Sequence, residues 1–285
     1  MTKYLFALMI GLAVLLGACG GGDNATTTPS ATPMVAVTAT PSPKPLSGSI
    51  TVFAASSLTD AFNEIGTTFK SANPGATVTF NFGGSSTLRS QLEQGATGDI
   101  FASADTTQMG LAKTSGVVAS DGTVFAHNRL VVIVPKANPA GIATRQDLAR
   151  SGIKIVLADT TVPVGKYARA FLTAASADPA YGSGYSDKVL ANVVSNTSNV
   201  KEVTSAVQLN EADAGIVYTT DVTAALAPEV TTIAIPDSVN QIATYPIAVT
   251  TNSSAKTVAQ AFIDFVTSSA GQSILVSHGF IKATS

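Results

Sequence analysis

Apolar and polar positions after residue 47 change repeatedly between two periods, which predicts alternating strands and helices. Residues 50–55 form an apolar run, and the positions that follow at helical spacing are Leu58, Ala61, Phe62, Ile65 and Phe69. Asn73-Pro74-Gly75 ends this helix, and period-two alternation over 77–82 predicts the next strand. A second helix is predicted from about 87 to 94. The chain therefore begins its folded part with two βα units.

Further apolar runs predict the remaining strands, with helical segments between most of them. These runs cover residues 130–134, 153–157, 215–218, 230–235 and 245–249. The last long helix is predicted over 254–266, and a short helix that ends at Gly279 follows it. This alternation predicts the α/β class with mainly parallel sheets.

The first 47 residues have a different composition. One cation, Lys3, precedes an apolar run over 5–16 that is too short to span a bilayer and is typical of a signal peptide. The segment Leu16-Gly17-Ala18-Cys19 resembles the bacterial lipobox, in which the cysteine becomes the lipidated first residue. We therefore predict a lipoprotein signal peptide over 1–18, lipidation at Cys19, and a disordered Thr/Pro/Ser/Gly-rich tether over 19–47.

Composition excludes several classes of function. Cys19 is the only cysteine, so the folded part has no disulfide and no thiol for catalysis or metal binding. The net charge of −2 and the lack of a basic cluster argue against a nucleic-acid partner. The two histidines, His127 and His278, have no second ligand or acid at a telling spacing. We expect no catalytic residue, metal or cofactor.

The segment Gly83-Gly84-Ser85-Ser86-Thr87 permits three interpretations. It lacks the Gly-x-Ser-x-Gly spacing of a nucleophile elbow, and no partner base is identifiable, so a serine hydrolase is weakly supported. A strand that ends in two glycines and leads into a serine-rich helix start also exposes N–H groups and hydroxyls that suit an anion. On this segment alone, an ordinary N-cap is the simpler interpretation.

One other helix start shares this design, and two more are candidates for the same edge. Ser56 and Ser57 follow the strand over 50–55, and Ser57-Leu-Thr-Asp60 has the pattern of a capping box. The remaining starts are Val162-Pro163-Val164-Gly165 and Asn199-Val200, and none of the four carries a Lys or Arg placed to contact a ligand. Each helix N-terminus supplies about +0.5 charge, so four that meet at one sheet edge would suit a dianion.

Several motifs, in this order along the chain, resemble the periplasmic molybdate-binding protein family. They are Ile50-Thr-Val-Phe-Ala-Ala-Ser-Ser-Leu-Thr-Asp60, Phe82-Gly-Gly-Ser-Ser-Thr-Leu88, Gly98-Asp-Ile-Phe-Ala-Ser-Ala-Asp105, Asn128-Arg-Leu-Val-Val-Ile-Val-Pro-Lys136, Val162-Pro-Val-Gly-Lys-Tyr-Ala168, Gly215-Ile-Val-Tyr218 and Tyr245-Pro-Ile-Ala-Val249. The resemblance implies a two-lobed periplasmic binding fold of type II with the ligand cleft between the lobes. The chain would cross twice, near Asn128 and Tyr245. Lobe 1 would hold residues 48–127 and 249–285, and lobe 2 residues 128–248.

The resemblance also implies a function. The protein would be an extracytoplasmic, lipid-anchored monomer, in the periplasm or on the outer face of the cell membrane. It would capture molybdate, and tungstate about equally well, for an ABC permease, without chemistry on the ligand and hence not as an enzyme. Carried over position by position, the ligand contacts are Ser57, Ser85, Val164, Val200 and Tyr218, the two valines through backbone N–H. The alternatives are the same fold binding sulfate or another tetrahedral oxyanion, and a serine-dependent surface hydrolase.

Overall fold

The computed structural model describes residues 46–283. The predicted signal peptide, Cys19 and all but the last two residues of the predicted tether lie outside this range. The first strand already includes Ser47, the last residue of the predicted tether. No helix in the described range is long and apolar enough to cross a bilayer.

Eleven strands and eight α-helices make up the described part. In chain order they are β1 (Ser47–Ala55), α1 (Thr59–Ala72), β2 (Gly75–Gly83), α2 (Ser85–Glu93), β3 (Ile100–Ala102), α3 (Thr106–Thr114), β4 (Thr123–Asn128), β5 (Leu130–Pro135), β6 (Ile155–Ala158), α4 (Pro163–Ser176), α5 (Tyr185–Ala191), β7 (Val193–Thr197), α6 (Val200–Gln208), β8 (Ala214–Tyr218), β9 (Val230–Ala234), β10 (Ala243–Val249), α7 (Lys256–Thr267), α8 (Ser269–Ser277) and β11 (Ile281–Lys282). Short 3₁₀ turns occupy Ser56–Leu58, Arg145–Ala149, Pro179–Tyr181 and Thr219–Asp221.

Six strands form one sheet in the order β11-β4-β10-β3-β1-β2. Strand β1 runs parallel to both β2 and β3, and its last residue, Ala55, pairs with Gly83 at the end of β2. The segments that follow these two strands therefore leave the sheet side by side. This register places the predicted serine-rich helix starts next to each other.

The other five strands form a second sheet in the order β7-β6-β8-β5-β9. Strand β6 runs parallel to β7 and β8, with Ala158 paired to Thr197. The carboxyl ends of these three strands meet at one edge, where α4, α6 and the end of β8 lie.

The α/β class is confirmed, but the prediction of mainly parallel sheets is wrong, because both sheets are mixed. Strand β10 is antiparallel to β3 and β4, and β5 is antiparallel to β8 and β9. The physical reason is that the chain crosses from one sheet to the other just before β5 and again before β10. After each crossing, the strand runs antiparallel to its neighbours in the new sheet. The first passage is at Arg129, and the return lies between Ala234 and Ala243, a few residues before the predicted Tyr245. The assignment of residues to two lobes stays a prediction.

The predicted apolar stripe of α1 is buried against the six-stranded sheet. Phe62 has no exposed surface, and its ring centroid lies 6.1 Å from that of Phe80, 5.7 Å from Phe125 and 6.1 Å from Phe262. These aromatic contacts join α1 to β2, β4 and α7. The helix that follows the first serine-rich start is therefore anchored by close packing.

Replacing Phe62 by alanine is expected to lower the free energy of unfolding by about 3–5 kcal/mol, because a large buried ring is lost and a cavity remains. Urea denaturation would measure this change. The control is Val276→Ala on α8, whose side chain is half exposed and whose loss should change stability by no more than about 0.5 kcal/mol. Equal effects from the two variants would contradict the assignment of Phe62 to the core.

Candidate functional site

One small cavity is lined by all five residues that the sequence resemblance selected. Its walls are Ala55, Ser56, Ser57, Gly83, Gly84, Ser85, Ala104, Val162, Pro163, Val164, Val200 and Tyr218. None of these residues carries a charge. The enclosed free space is only about 10 Å³, far below the roughly 300–1,000 Å³ of pockets for drug-sized ligands. The space suits a small ion.

Helix starts from both sheets meet at this cavity. Two of these helices, α2 and α4, have no side-chain cap. The N-cap residues of α2 and α4 are Gly84 and Val162, and neither helix has a side chain that accepts from its first turn. Pro163 at the first position of α4 has no N–H to satisfy. The remaining first-turn N–H groups have no partner within their helix and are available to a ligand.

The capping box predicted at Ser57 and Asp60 is wrong. Residues Ser56–Leu58 form a 3₁₀ turn, and α1 begins only at Thr59 with no side-chain cap. The Ser57 hydroxyl lies 3.0 Å from the Tyr245 hydroxyl, and the Asp60 carboxylate lies 3.4 Å from Lys201 Nζ. Because the Ser57 hydroxyl does not cap α1, it is available for a hydrogen bond to a ligand in the cavity.

A buried chain of hydrogen bonds sets the direction of the Ser57 hydroxyl. Asn128 Oδ1 accepts from the backbone N–H of Arg129 at 2.9 Å, so Asn128 Nδ2 must be the donor towards Thr220 Oγ1 at 2.8 Å and Tyr245 Oη at 3.4 Å. Tyr245 is fully buried, and among the described residues Ser57 Oγ is the only acceptor near its hydroxyl hydrogen. Ser57 Oγ therefore accepts, and its own hydrogen is left for the cavity.

Ser85 is oriented in the same way. Its Oγ accepts from the backbone N–H of Ala104 at 3.0 Å, and it donates to no group in the described part of the chain. The side chain is 1% exposed. Its hydroxyl hydrogen, like that of Ser57, is free to donate into the cavity.

Tyr218 supplies a third free donor. Its side chain is 1% exposed, and its hydroxyl has no hydrogen-bond partner among residues 46–283. Burial raises the pKa of this hydroxyl well above its usual value, so the proton stays in place at neutral pH. A buried hydroxyl without a partner costs about 1–3 kcal/mol. Its position on the cavity wall leaves the hydroxyl hydrogen available to a ligand in the cavity.

Several contacts join the two sides around the cavity, among them the following three. Gln108 Nε2 on α3 donates to the Thr161 carbonyl at 2.9 Å. Lys166 Nζ on α4 lies 3.6 Å from the Asp105 carboxylate. On the other side, Lys201 of α6 pairs with Asp60 of α1. Sequence analysis missed these contacts because their partners are far apart in the chain. They hold the helices of both sheets against each other.

Asp221 lies behind the Tyr218 segment with its carboxyl group almost fully buried. Its Oδ2 accepts from the Tyr218 backbone N–H at 3.0 Å, while its Oδ1 has no hydrogen-bond partner in the described range and lies 3.9 Å from Lys201 Nζ. Burial raises the pKa of Asp221 to about 7, although Lys201 and the Tyr218 N–H oppose the change.

Comparison with known proteins gives the following similarities. The chain matches the bacterial extracellular solute-binding protein family over residues 50–281. It is 39% identical over 234 residues to the molybdate-binding protein ModA of Mycobacterium tuberculosis, which covers 82% of this chain and 85% of that protein. Two solved structures are similar in fold. They are the periplasmic molybdate-binding protein of Azotobacter vinelandii (TM-score 0.71, 20% identity, 82% of this chain and 100% of that one) and the sulfate-binding protein SubI of M. tuberculosis (TM-score 0.74, 19% identity, 82% and 87%).

Asp221→Asn is expected to make stability less dependent on pH. Because the folded state raises the pKa of this acid, its contribution to stability is complete below about pH 4 and is lost as pH rises through about 7. Thermal unfolding of the ligand-free protein from about pH 5 to about pH 8 should show a smaller fall of Tm in the variant. The control is Asp187→Asn on the exposed surface of α5, which should keep the wild-type dependence. An unchanged slope in Asp221→Asn would contradict the assignment.

Proposed function

The chain belongs to the bacterial extracellular solute-binding protein family, and we propose that it captures molybdate, with tungstate as an equivalent ligand, for delivery to an ABC permease. The observation that carries the proposal is the free hydroxyl of Tyr218, which faces a small uncharged cavity together with Ser57 and Ser85. The M. tuberculosis relative, named as a molybdate-binding protein, supports this choice of ligand.

The anion would be held by hydroxyls and backbone N–H groups without contact to a lysine or arginine. Ser57, Ser85 and Tyr218 would donate through their side chains, and Val164 and Val200 through backbone N–H. The starts of α2, α4 and α6 together contribute about +1.5 charge, at about +0.5 for each helix. Each hydrogen bond from these donors to the charged anion would contribute about 1.5–3 kcal/mol.

Donors without a matching acceptor favour an anion that has lost all its protons. A phosphate that keeps a proton at neutral pH would need one of the three hydroxyls to accept instead of donate, and the site would then offer the anion one donor fewer. Sulfate has the same charge and geometry as molybdate, so the sulfate alternative differs mainly in the size of the ion. The likeness to SubI supports only the shared fold.

Closure of the cleft would complete the site. We propose that the six-stranded sheet is the core of lobe 1 and the five-stranded sheet the core of lobe 2. The predicted ranges, 48–127 plus 249–285 and 128–248, then need one change, because β10 (Ala243–Val249) lies in the six-stranded sheet and belongs with lobe 1. Ligand contacts come from both sheets, so binding would favour the closed form in which the Gln108, Lys166 and Lys201 contacts are made. The closed surface would be the one that the permease recognises.

The family supports a location outside the cytoplasm, and the first residues support the membrane anchor that we propose. Members are described as extracellular solute-binding proteins, which places this chain outside the cytoplasm. We propose that Cys19 is lipidated after removal of residues 1–18, and that residues 19–47 tether a monomeric domain to the membrane. A lipid-anchored monomer would capture its ligand close to the permease.

The hydrolase alternative gains no support at the serines. The described partners of Ser57 Oγ and Ser85 Oγ are the Tyr245 hydroxyl and the Ala104 N–H. Neither group can act as the base that an activated serine requires. A binding protein that performs no chemistry on its ligand is the function that the cavity supports best.

Thermal unfolding with added molybdate, tungstate, sulfate and phosphate would test the proposal. An anion at 100 times its dissociation constant stabilises the native state by about 2.7 kcal/mol. We expect molybdate and tungstate to raise Tm at micromolar concentration, and phosphate to leave it unchanged. A rise with sulfate but none with molybdate would establish the sulfate alternative. No rise with any of the four would reject oxyanion capture.

Tyr218→Phe is expected to weaken molybdate binding by about 1.5–3 kcal/mol, as when a hydrogen bond to a charged group is lost. Stability without ligand should not fall, because the hydroxyl has no protein partner in the described range. Tyr181→Phe is a matched control, since the Tyr181 hydroxyl is also buried without a partner there but does not line the cavity. Titration calorimetry should show full affinity for Tyr181→Phe. Equal affinities for the two variants would remove the Tyr218 hydroxyl from the site.

A further inference from the structure

Gly84 lies where the two sides of the cavity approach each other closely. It precedes α2, which belongs to the six-stranded side, and it faces Ser198, which precedes α6 on the five-stranded side. A Cβ atom added to Gly84 would lie 2.2 Å from the Ser198 carbonyl oxygen, whereas ordinary van der Waals contact begins at about 3.4 Å. The contact is with backbone, which cannot turn aside as a flexible side chain does.

The backbone conformation of Gly84 does not by itself require glycine. Its φ of −65° and ψ of 135° lie in the extended region that every L-residue adopts without strain. Gly83, its neighbour in sequence, differs, because a Cβ there would meet only the Leu88 side chain of the same segment at 3.2 Å. The requirement for glycine at position 84 therefore comes from the opposite side of the cleft.

Ser198 is held in place by the start of α6. Its N–H and its hydroxyl both donate to the Glu202 carboxylate, at 2.9 Å and 2.7 Å. The Asn199 side chain accepts from the Glu202 N–H at 3.1 Å. Retreat of the Ser198 carbonyl would disturb this cap and, with it, Val200 on the cavity wall.

We infer that Gly84 is a positioning residue that sets how closely the two sides of the cavity approach each other around the anion. This inference rests on the proposed function, capture of an oxyanion by closure. A methyl group at position 84 would keep the sides apart by roughly 1 Å, the difference between a 2.2 Å contact and a tolerable one. Hydrogen bonds lengthened by that amount from about 2.9 Å are lost. An anion could then bind fully to the donors of one side only.

Gly84→Ala in the full chain, titrated with molybdate by calorimetry, tests the inference. We expect the affinity to fall at least tenfold, while the Tm of the ligand-free protein stays the same or rises slightly, because alanine restricts the unfolded chain. Gly110→Ala on α3 is the matched control, since nothing lies within 4 Å of an added Cβ there. It should keep both the wild-type affinity and a wild-type or slightly higher Tm.

Closure itself can be measured with two spin labels. Thr68→Cys on α1 and Gln208→Cys on α6 are exposed positions on the two sides, in a Cys19→Ser background. Saturating molybdate should shorten the distance between the labels in the wild type and in Gly84→Ala, with the shorter final distance in the wild type. Equal final distances would overturn the inference.

The remaining outcomes separate the two proposals. If the wild type binds molybdate and Gly84→Ala binds it equally well, the inference is wrong and the proposed function stands. If the wild type binds none of molybdate, tungstate and sulfate, the proposed function itself fails. A clearly lower Tm for ligand-free Gly84→Ala would show that Gly84 serves the fold and would also overturn the inference.

Discussion

Burial of a hydrogen-bond donor without an acceptor costs free energy. Several donors around one cavity are buried in this way. The Tyr218 hydroxyl has no partner in the described range, and the Ser57 and Ser85 hydroxyls each use their oxygen as an acceptor and keep a free hydrogen. The uncapped first turns of α2 and α4 add backbone N–H groups. Because folding brings these donors together at a cost, a bound oxyanion would recover the lost hydrogen bonds, and that is the physical basis that we propose for its affinity.

The sheets determine where those donors lie. Pairing of Ala55 with Gly83 and of Ala158 with Thr197 places strand ends in parallel at the cavity edge of each sheet. The two passages of the chain between the sheets put antiparallel strands beside them, and Asn128 and Tyr245 lie on the strands next to these passages. The same two residues form the hydrogen-bond chain that directs the Ser57 hydroxyl. Asn128 and Tyr245 therefore lie beside the crossings between the sheets and also orient a donor of the site.

The charged side chains near the cavity lie behind its wall and do not line it. Lys166 faces Asp105, and Lys201 faces Asp60 and Asp221, so each lysine is close to a carboxylate while the cavity wall is uncharged. Helix dipoles and oriented hydroxyls would need no reorganisation when the proposed anion enters. The lysines instead join the helices of the two sides through these ion pairs.

Local sequence determined the elements and the character of the site, whereas the reasons for individual residues became visible only in the tertiary structure. The apolar periods predict the main strands and helices and the four helix starts, because those signals lie within a few residues of each other. The short β3, the edge strands β7 and β11, and the antiparallel directions of β5 and β10 could not be predicted, since strand pairing depends on partners distant in the chain. The five candidate contacts came from the family resemblance, and the contact that orients Ser57 joins residues 188 positions apart. From the sequence, Gly84 has the pattern of an ordinary turn glycine. Only the tertiary structure shows that the Ser198 carbonyl on the other side of the cleft leaves no room for a side chain there.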